Sequence, residues 1–434
     1  MKKYTLTSVA AAALLLTGCG HSIGADEESA AATTTTTTTT TTAQSTAATT
    51  VTTTVTTTKK ISTDIPEGVV LGSVAEVEVY SQTTIAELIT DNNVKLTAPA
   101  DLIDTDGLGE KKAKVTFEYE GNEYEKEIAY NVVDTTPPLI LNSGWNPYTK
   151  VGEPFNIDSI IGYVDNYDRA PSVTYSGGTD TSEVGRLDLA VTVTDSSGNS
   201  TDFDLTVLVL NEIPRPEDNN PRVAYSDFID YYSDYGDVSF GIDVSAWQTD
   251  VDYDAVKDAG CEFVLMRMGY YYRDEPVMDD YYEQNMKNAS AAGLDVGVYF
   301  YSADNTEEGA REHARWVIEQ LGGRGLDYPI AFDWEEWATF QEYGMNIHDL
   351  NCVFEAFADE CEKNGYSAML YSSKNFLNNF WENRGNHPVW LAHYVDDTDY
   401  EGAFALWQAS AYGRIPGIQG DVDMNIRFNS ETLE

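Results

Sequence analysis

The stretch Pro329-Ile330-Ala331-Phe332-Asp333-Trp334-Glu335-Glu336-Trp337 sets three carboxylates among side chains that otherwise read as a buried strand. A carboxylate withdrawn from water is costly unless it is paired or takes up a proton. Clustered carboxylates serve two common chemistries. One is binding of a hard cation such as Mg²⁺ or Ca²⁺ through oxygen ligands. The other is glycoside hydrolysis, in which one acid protonates the leaving oxygen and another stabilises the oxocarbenium-like transition state. Like charges held close raise one pKa, which keeps a Glu protonated near neutrality as an acid. The five His residues are scattered without metal-ligand spacing, so no metal and no cofactor is expected.

The acids need elements to position them. From about residue 238 the sequence alternates strands with helices. Strands are expected at 238–244, 261–268, 295–301, 330–335, 367–372, 389–394, 404–409 and 422–428, and helices at 278–292, 307–321 and 349–364. This order predicts an α/β, TIM-like barrel whose chemistry lies at the strand C-termini. The last strands are too closely spaced for full helices, so the barrel is expected to be irregular there. Strand side chains alternate. Ile330, Phe332 and Trp334 therefore share an outward face, and Ala331, Asp333 and Glu335 an inward one. In the first strand Gly241, Asp243 and Ser245 face inward, and in the last Asp423 and Asn425 share a face. Asp243, Asp333, Glu335 and Asp423 then converge at one mouth. Trp247, Tyr299, Tyr301, Tyr371, Tyr394 and Trp407 fall on or just beyond strand ends. Any one of them could be plain core packing; six together suit the CH faces of a sugar.

The rest of the chain frames this segment. The formal charge of −46, from 26 basic and 72 acidic side chains, argues against a nucleic acid or an anionic membrane surface as partner. Lys2 and Lys3 precede a short apolar run from Val9 to Leu16, too short to span a bilayer but suited to a secretory signal core. It ends in Leu16-Thr17-Gly18-Cys19, which resembles the lipobox of bacterial lipoproteins and implies a lipidated Cys19 outside the cytoplasm. Residues 1–19 are then a signal peptide, and the Thr-rich residues 20–66 a disordered tether with a maximum reach of about 150 Å. Two stretches of short alternating strands follow, 67–135 and 136–211. Val115, Phe117 and Tyr119 alternate before a Gly121-Asn122 turn. Leu187, Leu189, Val191 and Val193 alternate before the turn Asp195-Ser196-Ser197-Gly198-Asn199. Both resemble bacterial immunoglobulin-like modules. Asp165, Asp168 and Asp195 are read as turn formers rather than calcium ligands. Residues 212–237, with three prolines, read as a linker. Cys261, Cys352 and Cys361 are expected to be packing thiols, with Cys352 and Cys361 on opposite helix faces.

Residues 238–434 are identified as resembling the family 25 glycoside hydrolases, the Chalaropsis-type lysozymes. The motifs are Gly241-Ile242-Asp243-Val244-Ser245-Ala246-Trp247-Gln248, Asp333-Trp334-Glu335, Trp407-Gln408 and Val422-Asp423-Met424-Asn425, in that order. The resemblance implies an N-acetylmuramidase that cleaves the β-1,4 bond between N-acetylmuramic acid and N-acetylglucosamine in peptidoglycan, with retention and without metal. Glu335 is then the general acid/base. Asp333 is the nucleophile, or the group that steadies an oxazolinium if the substrate's acetamido group attacks. Asp243 and Asp423 tune that pair. Trp247, Arg267, Tyr299, Tyr301, Tyr371, Tyr394, Trp407, Gln408 and Asn425 are implied to contact the sugar. Trp334 departs from the smaller aliphatics usual at its position, but alternation points it away from the site. Two rivals stand beside this reading: a glycosidase acting on chitin or another N-acetylated polysaccharide, and a non-catalytic wall adhesin.

Overall fold

The computed structural model describes residues 61–141, 147–214, 219–273, 275–382 and 385–433. The signal peptide with Cys19 and nearly all of the expected tether lie outside them.

Among the described residues, those up to Val133 belong to one compact unit and those from Asp134 onward to another. In the first unit the alternating pattern becomes a long hairpin, Gly109–Tyr119 with Asn122–Val133, flanked by Glu76–Glu78 and Lys95–Leu96. Val115 and Phe117 are fully buried, and Glu120-Gly121 turns the chain with both residues at positive φ.

The second unit opens with a four-stranded sheet in which Ser172–Gly177, Gly185–Thr194 and Ser200–Leu210 run antiparallel and Tyr148–Lys150 joins the edge. Leu187, Leu189, Val191 and Val193 form its buried stripe, as their spacing predicts.

The remainder is barrel-like. Its strands are β1 (Val238–Val244), β2 (Phe263–Tyr272), β3 (Asp295–Ser302), β4 (Ile330–Trp334), β5 (Ala368–Ser373), β6 (Val389–Ala392), β7 (Leu406–Arg414) and β8 (Val422–Phe428). Each of β1 to β6 pairs in parallel with the next. β8 runs antiparallel to both β7 and β1 and closes the ring of pairings. The irregularity lies where short connections demanded it: no helix separates β6, β7 and β8. Two long helices cover the outer face of the middle strands, Glu307–Leu321 after β3 and Ile347–Lys363 after β4. Their starts are fixed by Thr306 and by Asn346, whose side chains accept N–H bonds from Gly309 and Asp349. Outward side chains of the strands, Ile242, Phe332, Trp334 and Trp407, join the large core outside the strands. A separate inner core of Phe263, Leu265, Tyr328, Ala331, Met369 and Leu406 fills the barrel interior. Gly241 is required there, because a Cβ at that position would lie 2.4 Å from the Phe263 ring.

Two expectations are corrected. Part of the expected linker 212–237 is structured: Val223–Ala224 adds an edge strand to β7, and Tyr225, Phe228 and Tyr232 of the following helix Tyr225–Tyr232 are buried in the barrel core. The expected helix from residue 278 begins at Tyr282, because Glu275–Met278 pairs back on β2 as a hairpin. Cys261 and Cys361 are buried free thiols, as expected.

The β-sheet part of the second unit grips the barrel just beyond β4. Gln341 donates to the carbonyls of Asp158 and Ile161 at 3.2 and 3.3 Å. Asn346 Nδ2 donates to the Tyr167 carbonyl at 2.6 Å, and the Ile347 N–H to that of Asp165 at 2.9 Å. Arg169 makes a two-pronged pair with Asp349 at 2.6 and 2.9 Å.

Candidate active site

The C-terminal ends of the barrel strands surround a cavity of about 500 Å³ lined by Asp243, Asp333, Glu335 and Asp423 among others. The four acids singled out by alternation therefore share one space. Asp243 and Asp423 face each other across the β1–β8 register, and Asp333 lies between Tyr301 and Tyr371 of the neighbouring strands.

Asp243 is the best supported of the four. Its Oδ2 accepts from Gln408 Nε2 at 2.9 Å and from Asn425 Nδ2 at 2.7 Å. Both amides are held in turn. Gln408 Oε1 accepts from the Tyr371 and Tyr394 hydroxyls at 2.9 and 2.8 Å, and Asn425 Oδ1 accepts from Trp390 Nε1 at 2.8 Å. These bonds fix which end of each amide meets the carboxylate. Burial pushes Asp243 up to about 6, against the opposing pull of these donors and of a hydrogen bond with Asp423. Asp423 goes further, to about 9, through burial and then the charge of Asp243. Both carboxyls are thus biased towards protonation, Asp423 the more strongly, because each charge raises the cost of the other in a buried setting.

Asp333 is 6% exposed. Burial raises its pKa well above the carboxylate range, the charges of Glu335 and Asp243 add to this, and Arg267 opposes it. Its Oδ1 is buried without a hydrogen-bond partner. Glu335 lies beyond the last residue of β4 and reaches solvent at the cavity mouth. Desolvation by the cavity wall, then the charges of Glu336 and Asp243, raise its pKa. A chemical division follows: an accessible carboxyl biased towards its protonated form stands beside a buried one with an unused acceptor.

Of the expected sugar contacts, Trp247, Arg267, Tyr299, Tyr301, Tyr371, Tyr394 and Gln408 line the cavity, and Asn425 supports it through Asp243. Trp247 is 83% exposed at the rim. Trp407 is a correction. It is fully buried on the outer side, against Tyr232 and Tyr235, with its indole N–H on the His393 carbonyl at 2.8 Å. Its neighbour Gln408 faces in, so alternation turns Trp407 out. Trp334 points outward as predicted and donates to the Asp304 carbonyl at 3.0 Å. Two residues escaped the sequence reading. Trp390 lines the cavity and holds Asn425. Asp279 is buried and holds Arg267 through Nε at 2.8 Å and Nη2 at 2.7 Å. Trp390 had a usable signal, since Val389 and Leu391 alternate outward around it. Asp279 follows the hairpin strand and fell inside the helix expected from residue 278.

Residues 242–418 match the family model of Glycosyl hydrolases family 25, and that segment is a family 25 domain. The chain is similar to the autolytic lysozyme of Clostridium acetobutylicum, 29% identical over 43% of this chain and 54% of that protein. It is also similar to lysozyme M1 of Streptomyces globisporus, 29% identical over 44% of this chain and 67% of that protein. The first match thus spans only about half of the relative's length. Among solved structures, a family 25 glycosyl hydrolase from Bacillus anthracis aligns with a TM-score of 0.40 at 19% identity, over 44% of this chain and 90% of that one.

Proposed function

We propose that the family 25 domain is a lysozyme-type peptidoglycan hydrolase, cleaving the β-1,4 bond between N-acetylmuramic acid and N-acetylglucosamine. The observation that carries this reading is the pairing of Glu335, open to solvent with a raised pKa, with buried Asp333 in a cavity rimmed by aromatic side chains. Glu335 protonates the leaving oxygen and later takes a proton from water. Loss of its proton shuts off the first step, so the rate falls on the alkaline side of the profile, at a pH above the ordinary glutamate range.

Asp333 has two routes to a retained product. As nucleophile it attacks the anomeric carbon; as acceptor it orients the acetamido N–H while that group's oxygen attacks. The unpartnered Oδ1 favours the second, because a substrate N–H satisfies it. Asp243, fixed by Gln408 and Asn425, and Asp423, the more strongly biased towards protonation, keep the local charge from rising further. In this reading Cys19 carries a lipid, and the Thr-rich segment and the two β-rich regions, read as immunoglobulin-like spacers, carry the barrel from the membrane to the wall.

Purified sacculi digested with the protein, reduced and analysed by mass spectrometry test the assignment. Reduced muramic acid at the new ends is the expected result. Reduced glucosamine there contradicts a muramidase. Binding to sacculi without new reducing ends, or cleavage of chitin instead, restores one of the two rivals.

A further inference from the structure

Far along the chain from the cavity, three buried aspartates meet where the β-sheet part of the second unit begins. Carboxylate oxygens of Asp134, Asp165 and Asp195 all lie within 4.8 Å of one another. Asp165 is 1% exposed. Its Oδ1 accepts the N–H groups of Tyr167 and Asp168 at 2.9 and 2.6 Å, while its Oδ2 is buried without a hydrogen-bond partner. The side-chain oxygen of Asn166, next along the chain, is likewise buried and unpartnered. Among the described residues no Lys, Arg or His forms an ion pair with Asp165 or Asp195; the nearby Arg169 is committed to Asp349.

We propose that Asp134, Asp165 and Asp195 form a site for one Ca²⁺ ion. Calcium–oxygen distances of about 2.3–2.6 Å place ligands on opposite sides of the ion up to roughly 5 Å apart, which the three carboxylates meet without rearrangement. The donors are all hard oxygens, with neither His nor Cys among them, which suits calcium rather than a transition metal. Without a cation the cluster is electrostatically expensive. Burial pushes Asp165 up to about 6, against its two backbone N–H bonds, and the charges of Asp134 and Asp195 add to the rise. The surroundings are built to hold these groups still. Asn199 donates to both oxygens of Asp195 at 2.8 Å and to the Asp134 carbonyl at 3.1 Å. Asp168 Oδ2 receives the Ser196 N–H at 2.7 Å, which ties the 165–168 loop to the 195–199 turn.

The ion's position gives it a task. The same 165–169 loop supplies the carbonyls and the Arg169 side chain that hold residues 346–349 of the barrel. Calcium then secures the edge by which the β-sheet part grips the barrel one loop beyond β4.

The test uses the full chain stripped with a chelator, in buffer of physiological ionic strength so that the acidic surface contributes little. Calorimetric titration with CaCl₂ is expected to show one ion per chain, and millimolar CaCl₂ to raise the melting temperature by several degrees. Asp165→Asn keeps an oxygen for the two backbone N–H groups and removes one charge. It is expected to bind no ion at this site and to melt no lower than the wild type in chelator, yet below it in calcium. That crossing separates loss of a ligand from simple misfolding. A wild type that takes up no Ca²⁺ overturns the proposal. So does an Asp165→Asn variant that still binds one ion, or one destabilised equally with and without calcium.

Discussion

Two acidic clusters are buried in the second unit, and they manage their charge differently. At the cavity, Asp243, Asp333, Glu335 and Asp423 are surrounded by amides, tyrosines and Arg267, and burial biases the acids towards protonation, Asp423 more than Asp243. At the sheet edge, Asp134, Asp165 and Asp195 meet with backbone N–H groups and Asn199 around them. The first cluster opens to solvent, so protons can come and go, as acid–base work requires. The second is closed, and a fixed ion suits it better than an exchanging proton. Buried carboxylates alone therefore identify no chemistry; the donors around them and their access to water do.

Several substitutions break or sharpen this contrast. The largest effect among these is expected from Asp333→Asn, which removes the acidic group but keeps the shape. The rate of sacculus solubilisation should fall by roughly 10²–10³ with the melting temperature unchanged or raised, and a rate within threefold of wild type would remove Asp333 from the chemistry. Asp423→Asn tests the proton on Asp423. The folded protein keeps that proton up to about pH 9 while the unfolded chain releases it near its ordinary value of about 3.9. The unfolded state then binds fewer protons over this range, and wild-type stability declines as pH rises. The variant, permanently neutral there, should gain on wild type in thermal melts as pH is raised from 5 to 9; a constant gap would place the proton elsewhere. Trp247→Ala removes an exposed aromatic face at the rim. A KM increase of roughly three- to tenfold with little change in kcat is expected, and an unchanged KM for wall fragments would take Trp247 out of the binding surface. The smallest effect is expected from Arg169→Ala. The pair with Asp349 is well formed, but the Arg169 side chain is largely exposed, so urea melts should show a loss of about 0.2–1 kcal/mol.

Much of the barrel and its acids was legible because the relevant signals are local. Alternation in β1, β4 and β8 placed all four carboxylates on inward faces, and the outward turn of Trp334 followed from the same rule. Where that rule was not applied, the reading failed: Trp407 was assigned to the groove although it adjoins inward Gln408. The helix Tyr225–Tyr232 was missed because its prolines lie upstream and its Tyr and Asp residues have weak helical propensity. Yet Tyr225, Phe228 and Tyr232 carry the i, i+3, i+7 spacing of a buried face. The aspartate triad was only partly legible: Asp165 and Asp195 stood out but were read as turn formers, and Asp134 was not noticed. Its members lie about thirty residues apart in three loops, and only the folded sheet brings them together. The grip of the 165–169 loop on residues 346–349 is non-local in the same way.

The central claim is that Glu335 delivers the proton to the leaving sugar oxygen. Its most direct test is the initial rate of reducing-end release from sacculi by Glu335→Gln beside wild type, with matched melting curves to show that the fold survives. A fall of about 10²–10⁴ at equal stability is the predicted result. Release at the wild-type rate by a folded Glu335→Gln variant would contradict it.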